Sequence, residues 1–192
     1  MKDKITDNSK IKTYIKAQKF YFLAEQCLNL IQKSIIPLLK EHGLHHSQYL
    51  ILIVLRYAAI AKNEVISTEI SYLLGLEKHS ITSNVDSLCK KGYIKRERSE
   101  KDRRVVFLKL TSEGKRLVEM IQPQTMESIA VFPECSDSEF SDIIAFLENL
   151  RVLAASNNNQ QPEIFKKAYE KLLLEGEEEF LKIYQKEQKK GN

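Results

Sequence analysis

The sequence predicts a mainly α-helical chain with a small β-wing: a winged helix-turn-helix flanked by long dimerisation helices. Three observations predict it. Apolar residues recur at steps of three and four along most of the chain. The period switches to two between Tyr93 and Leu110. Two short helical patterns, ended by Gly75 and Gly92, stand directly before that switch.

The elements follow in order. Residues 1–9 are polar and expected to be frayed. Residues 10–46 form an N-terminal dimerisation helix. Tyr14, Ala17, Tyr21, Ala24, Leu28, Ile31, Ile35 and Leu38 give it a heptad-like stripe. A stripe that long needs a second helix, from this chain or a partner, to cover it. Pro37 is expected to bend or end the helix, and Gly43 to stop it.

Residues 47–111 form the winged helix. Ser47 is the expected cap of a helix that is apolar nearly all round from Tyr49 to Ile60, which places it at the centre of a core. Ser67 opens a short helix that turns Ile70, Leu73 and Leu74 inward. The next helix, about Lys78 to Lys91, buries Ile81, Val85 and Leu88. Tyr93–Arg98 and Val105–Leu110 are two strands joined by the charged turn Ser99–Arg104.

Residues 112–155 form C-terminal dimerisation helices. Thr111 caps the first, which runs to about Met126 with a bend at Pro123. Ser136 and Glu139 pattern as a capping box before Phe140, Ile143, Ile144, Leu147, Leu150 and Leu153. Residues 156–162 (SNNNQQP) are a polar linker. Residues 163–192 form an extra amphipathic helix with Phe165, Tyr169, Leu172, Phe180 and Ile183 at helical spacing and Gly176 interrupting. From Gln161 onward seven acidic residues balance seven basic ones, so this is not a nucleic-acid tail. It is expected to pack back on its own dimer.

Composition narrows the class. Of the 192 residues, 43% are hydrophobic and 29% charged, which suits a soluble, helix-rich globular chain. The net charge of +4 is small, but it is unevenly distributed. Lys78 to Lys109 contains ten Lys/Arg and four Asp/Glu, a basic concentration suited to a polyanion. Three widely spaced cysteines, Cys27, Cys89 and Cys135, form neither a disulfide framework nor a zinc pattern and suit a reducing cytoplasm. The longest aliphatic run, Leu50–Leu55, is far short of a membrane span, and the basic N-terminus lacks an apolar signal core. His42, His45 and His46 with Glu41 have no helical metal-ligand pairing across Gly43, so no metal is assigned. No nucleophile elbow or phosphate-cradling loop occurs, so neither enzyme nor cofactor is expected.

The informative unit is the pair of short helices followed by a basic hairpin. The second helix can lie in a major groove, with Lys78, His79, Ser80, Thr82 and Ser83 exposed on its N-terminal half. Small hydroxyls reach phosphates or base edges, and the Thr methyl can meet a thymine methyl. Lys90 and Lys91 add charge for the DNA backbone. The hairpin carries Arg96, Arg98, Lys101, Arg103 and Arg104, and an arginine tip suits a narrow minor groove. Asp102 is out of place on charge alone, but makes sense if its carboxylate fixes the rotamer of one arginine.

These residues resemble the MarR family of regulators. Ile81 to Ile94 (ITSNVDSLCKKGYI) is similar to that family's recognition helix and its exit into the wing. Asp102 to Gly114 (DRRVVFLKLTSEG) is similar to its wing signature. The likeness spans about residues 10–155. It implies a homodimer joined by the terminal helices, a pseudo-palindromic double-stranded operator, and repression relieved by a small molecule, with aromatic compounds a common class. It implies that Arg104 is the wing-tip arginine and Asp102 its partner. Two departures stand out: Ser83 sits where many members carry Arg, and the extension after Ser156 lies outside the usual pattern. Some members sense peroxides through a cysteine on the first helix, but the matching position here is Tyr21, not Cys27. The alternatives are a protein-interaction adaptor that uses the winged helix without DNA, against which the basic excess argues, and a cysteine-based redox-sensing regulator.

Overall fold

A computed structural model describes residues 8–129, 136–157, 167–174, 176 and 179–180. Helix α1 spans Asn8–Glu41, α2 His46–Ile60, α3 Ser67–Leu74 and α4 Lys78–Lys90. Strands β1 (Ile94–Arg98) and β2 (Val106–Leu110) follow, then α5 (Ser112–Ile129) and α6 (Asp137–Asn157). A π-helical turn occupies Glu170–Leu174.

Helix α2 is the axis of the core. Ile51, Leu52, Val54, Leu55 and Ala58 along it are all at most 2% exposed. Ile35 and Leu39 of α1, Ile70 of α3, Ile81, Val85 and Leu88 of α4, and Leu117, Val118 and Ile121 of α5 join the same cluster. Tyr49 of α2 hydrogen-bonds Thr125 of α5 inside it, and burial raises the phenol's pKa.

Chain punctuation explains the elements. Gly43 and Gly75 both have φ +62, the left-handed conformation in which glycine carries no side-chain penalty. Pro37 neither ends α1 nor confines it: the helix continues to Glu41. Likewise α5 runs through Pro123 to Ile129, past the expected end at Met126. The expected Ser47 cap is corrected. The cap position is two residues earlier, at His45, whose amide donates to Gln48 Oε1 at 3.3 Å. Ser47 instead reaches Asn84 of α4 at 3.4 Å. At α6 the Ser136–Glu139 box is present, with reciprocal bonds of 2.9 and 3.3 Å.

Strands β1 and β2 pair antiparallel from Ile94↔Leu110 to Arg98↔Val106. Ile66 bridges to Phe107, and the Leu108 amide donates to Val65 at 2.8 Å, so the wing's base is stitched to the start of α3. Helix α1 is buried only towards its C-terminal end. Tyr14, Tyr21 and Leu28 of the predicted stripe are more than half exposed, whereas Ile35 is 2% exposed. Helix α6 presents Phe140, Ile143, Ile144, Phe146, Leu147 and Leu153 to the outside. Phe20 and Phe146 meet edge-on at 5.5 Å, an aromatic contact between α1 and α6.

His46, half-buried at the start of α2, has its pKa lowered by burial. The unfolded chain takes up a proton near pH 6.5, while the folded chain resists it. Stability is therefore expected to fall as pH drops from 7.5 through 6. A thermal melt series checks this: His46→Gln should flatten the acid side of the profile.

Candidate nucleic-acid interface

The exposed face of α4 is made by subtraction. Ile81, Val85 and Leu88 are each 0% exposed, which fixes the helix's rotation. Lys78, His79, Thr82 and Ser83 consequently face outward, and Ser80 is half-buried. An open groove of 630 Å³ runs along this face, lined by His79, Thr82, Ser83, Asp86, Ser87 and Lys90. The Thr82 hydroxyl donates to the Lys78 carbonyl at 3.0 Å. Its hydrogen is thereby engaged, so Thr82 offers a ligand its methyl and an acceptor oxygen rather than a donor.

A polar seam holds α4 against α2. Gln48, 3% exposed, donates to the Ser87 hydroxyl at 3.1 Å, and Ser47 meets Asn84. Lys91 was expected to add charge beside Lys90. Its ammonium donates to Gln48 Oε1 at 3.1 Å and to the Gly43 carbonyl, which ties the side chain to the α1–α2 turn while it stays exposed with no ion pair among the described residues. Lys90 remains exposed in the groove.

The wing is organised by ion pairs. Arg96 of β1 grips Asp86 of α4 at 2.6 Å, linking hairpin to helix and neutralising the groove's carboxylate. Glu97 lies 3.2 Å from Lys109 and 3.6 Å from Lys95. Lys109 is the main cause of its lowered pKa. Among the described residues Lys78, Lys90, Arg98, Lys101 and Arg103 make no ion pair or side-chain hydrogen bond.

At the tip, Asp102 braces Arg104 as the sequence suggested. Its Oδ1 accepts from the Arg104 amide at 3.0 Å and from Nε at 3.2 Å, and its Oδ2 accepts from Nη2 at 3.1 Å. These bonds hold the Asp102 carboxyl below its usual pKa. The Arg104 side chain is nevertheless 91% exposed, so it is oriented without being sequestered. Ser99, missed in the sequence, closes the turn. Its hydroxyl accepts from the amides of Lys101 and Asp102, both at 3.3 Å. A serine three residues before an aspartate in a charged turn is the signal that could have revealed it.

Thr111 anchors the wing's base. Its hydroxyl donates to Gly92 at 2.6 Å and accepts the Gly114 amide at 3.0 Å, capping α5. Among the described residues no group of three or more metal-ligating side chains gathers, and no helix is long and apolar enough to cross a membrane. Cys27 is exposed on α1 and Cys89 is partly buried on α4. Cys135 lies outside the described residues.

With this geometry in hand, comparison with known proteins is specific. The family described as transcriptional regulator SarA/Rot matches residues 33–121. The chain is 30% identical over 132 residues to the HTH-type transcriptional regulator PapX of Escherichia coli, covering 65% of this chain and 79% of PapX. It is 33% identical over 122 residues to the HTH-type transcriptional regulator SarZ of Staphylococcus aureus, covering 62% of this chain and 77% of SarZ. The crystal structure of the C80S mutant of MarR from E. coli, complexed with operator DNA, superposes with a TM-score of 0.53 at 19% identity. That match covers 70% of this chain and 91% of the other and establishes the fold. The relatives are transcriptional regulators, not enzymes. The chain therefore belongs to the SarA/Rot-related family of HTH-type transcriptional regulators, which carry a DNA-binding winged helix-turn-helix.

Proposed function

We propose that this regulator is a homodimeric repressor. In this reading two copies bind a pseudo-palindromic operator, and a small-molecule effector releases them. One observation carries the DNA assignment: an Asp102-braced, outward-facing Arg104 stands on the same surface as unpaired Arg98 and Arg103, joined through Arg96–Asp86 to the groove of α4. In this reading Lys78, His79, Ser80, Thr82 and Ser83 read the major groove, and Lys90 meets phosphate. Arg98, Arg103 and Arg104 enter or flank the minor groove. Lys91, exposed and held by the neutral groups of Gln48 and Gly43, keeps its charge and adds to that of Lys90 toward the DNA backbone.

The dimer reading rests on exposed apolar surface. Tyr14, Tyr21, Phe22 and Leu28 on α1, with Phe146, Leu147 and Leu153 on α6, are each about half exposed or more. Soluble proteins rarely leave such surface uncovered. The effector reading rests on the family resemblance. Gln122 Oε1, buried without a hydrogen-bond partner among the described residues, is a polar group available to such a ligand.

Footprinting on the chain's own promoter region, alongside sedimentation of the free protein, tests this. The expected result is a dimer protecting two half-sites separated by roughly 10 bp or a multiple. A monomer, or binding that is absent or insensitive to salt, would overturn it and favour the adaptor alternative.

A further inference from the structure

The extension beyond α6 has a definite seat. Ala168 is 3% exposed, and Leu172 is 0% exposed inside the cluster built on α2. Gly176, predicted as an interruption, is a point of closest approach. A β-carbon there would lie 2.6 Å from both Cβ and O of Tyr57. Phe180 meets the Tyr57 ring edge-on at 5.8 Å, with the Arg56 guanidinium 5.5 Å from its centroid. Phe165 and Ile183 of the predicted stripe lie outside the described residues.

Its polar contacts bridge separate parts of the fold. Tyr169 lies under Arg151 of α6, with 4.3 Å between guanidinium carbon and ring centroid. Two residues on, Lys171 pairs with Glu69 of α3 at 2.7 Å, and its carbonyl accepts from Asn63 at 2.7 Å. The other oxygen of Glu69 accepts the Ile66 amide at 3.0 Å, at the first turn of α3. Ile66 is also the residue bridged to Phe107 of β2. One carboxylate thus joins the extension, the start of the helix-turn-helix and the base of the wing. A π-helical turn, a rare form that concentrates at functional positions, spans this contact.

We propose that the described residues between Lys167 and Phe180 are a positioning strap. The strap fixes the helix-turn-helix and wing relative to α6, with Lys171 as its positioning residue. In a two-fold dimer that orientation sets the separation of the two recognition helices, and so the half-site spacing the protein accepts. This consequence rests on the dimeric DNA-binding reading above. The strap itself does not.

The test uses the full chain and its Lys171→Glu variant, with the charge swap Glu69→Lys/Lys171→Glu as rescue and Lys171→Arg as the conservative control. Affinity is measured on operator probes whose half-sites are moved apart one base pair at a time. The wild type should favour one spacing by about tenfold, and Lys171→Glu should flatten that preference to about threefold or less. The salt slope should stay unchanged, and the swap should restore the preference. Pulsed electron resonance between spin labels at Asn149 on α6 and Lys101 on the wing, in cysteine-free protein diluted with unlabelled chain, gives a readout without DNA. Its distance distribution should broaden in Lys171→Glu. An unchanged spacing preference or an unchanged distribution would overturn the strap. A wild type that binds no probe, yet shows the broadening on mutation, would sink the DNA reading and leave the strap standing.

Discussion

Replacing Gly114 by alanine is expected to destabilise the winged helix by at least about 3 kcal/mol. A β-carbon at Gly114 would sit 1.9 Å from the Tyr93 carbonyl oxygen and 2.8 Å from its carbon. Backbone cannot swing aside as a flexible side chain can. That carbonyl is also held in place, because it accepts the Thr111 amide at 3.0 Å. Relief therefore requires α5 to lift from the base of the wing, breaking the cap at Thr111 as it goes. For a chain of this size the cost corresponds to a drop of roughly 10 °C in melting temperature. Calorimetry or denaturant titration measures it, and a midpoint within a degree of wild type would show that the junction relaxes freely.

Replacing Arg104 by alanine is expected to act on DNA and leave stability nearly untouched. The side chain is exposed and, among the described residues, hydrogen-bonds only Asp102, two residues away in the same turn. Affinity should fall by about tenfold to a hundredfold across operator variants alike, and the slope of log affinity against log salt should flatten by about one. Asp102→Asn separates charge from posture. It leaves Arg104 present but loses the ionic brace, so the arginine must surrender rotamer freedom on binding. The expected loss is smaller than for Arg104→Ala, with the salt slope retained. Gel shifts at several salt concentrations decide both, and full affinity in Arg104→Ala would show that the wing tip does not touch DNA.

Local features were legible where one residue's chemistry decides them. Ile81, Val85 and Leu88 set the rotation of α4, and Gly75 and Gly92 mark where helices stop, because these signals act within a few residues. The Asp102–Arg104 brace was legible for the same reason. Longer-range pairings were not. Ser47 has the chemistry of a cap, and nothing local reveals that Asn84, 37 residues on, competes for it. Lys91 reads as a surface cation, which it is, but nothing local reveals that its ammonium also reaches the Gly43 carbonyl. Gly176 reads as a breaker because the sequence does not record that Tyr57 lies against it. Periodicity likewise marked an apolar stripe on α1 without showing that its Tyr14 and Tyr21 end is left open within one chain.

The ion pairs of the wing bear on how this regulator behaves among a genome's random sequences. Of the ten Lys/Arg between Lys78 and Lys109, four are ion-paired within the chain: Lys95, Arg96, Arg104 and Lys109. Each paired cation attracts phosphate less than its formal charge suggests, because a carboxylate already accompanies it. Indiscriminate affinity grows with the number of available cations, so these internal partners shorten the protein's residence on bulk DNA. The search for a target then depends more on the shape presented by α4 and the hairpin than on how basic the surface is.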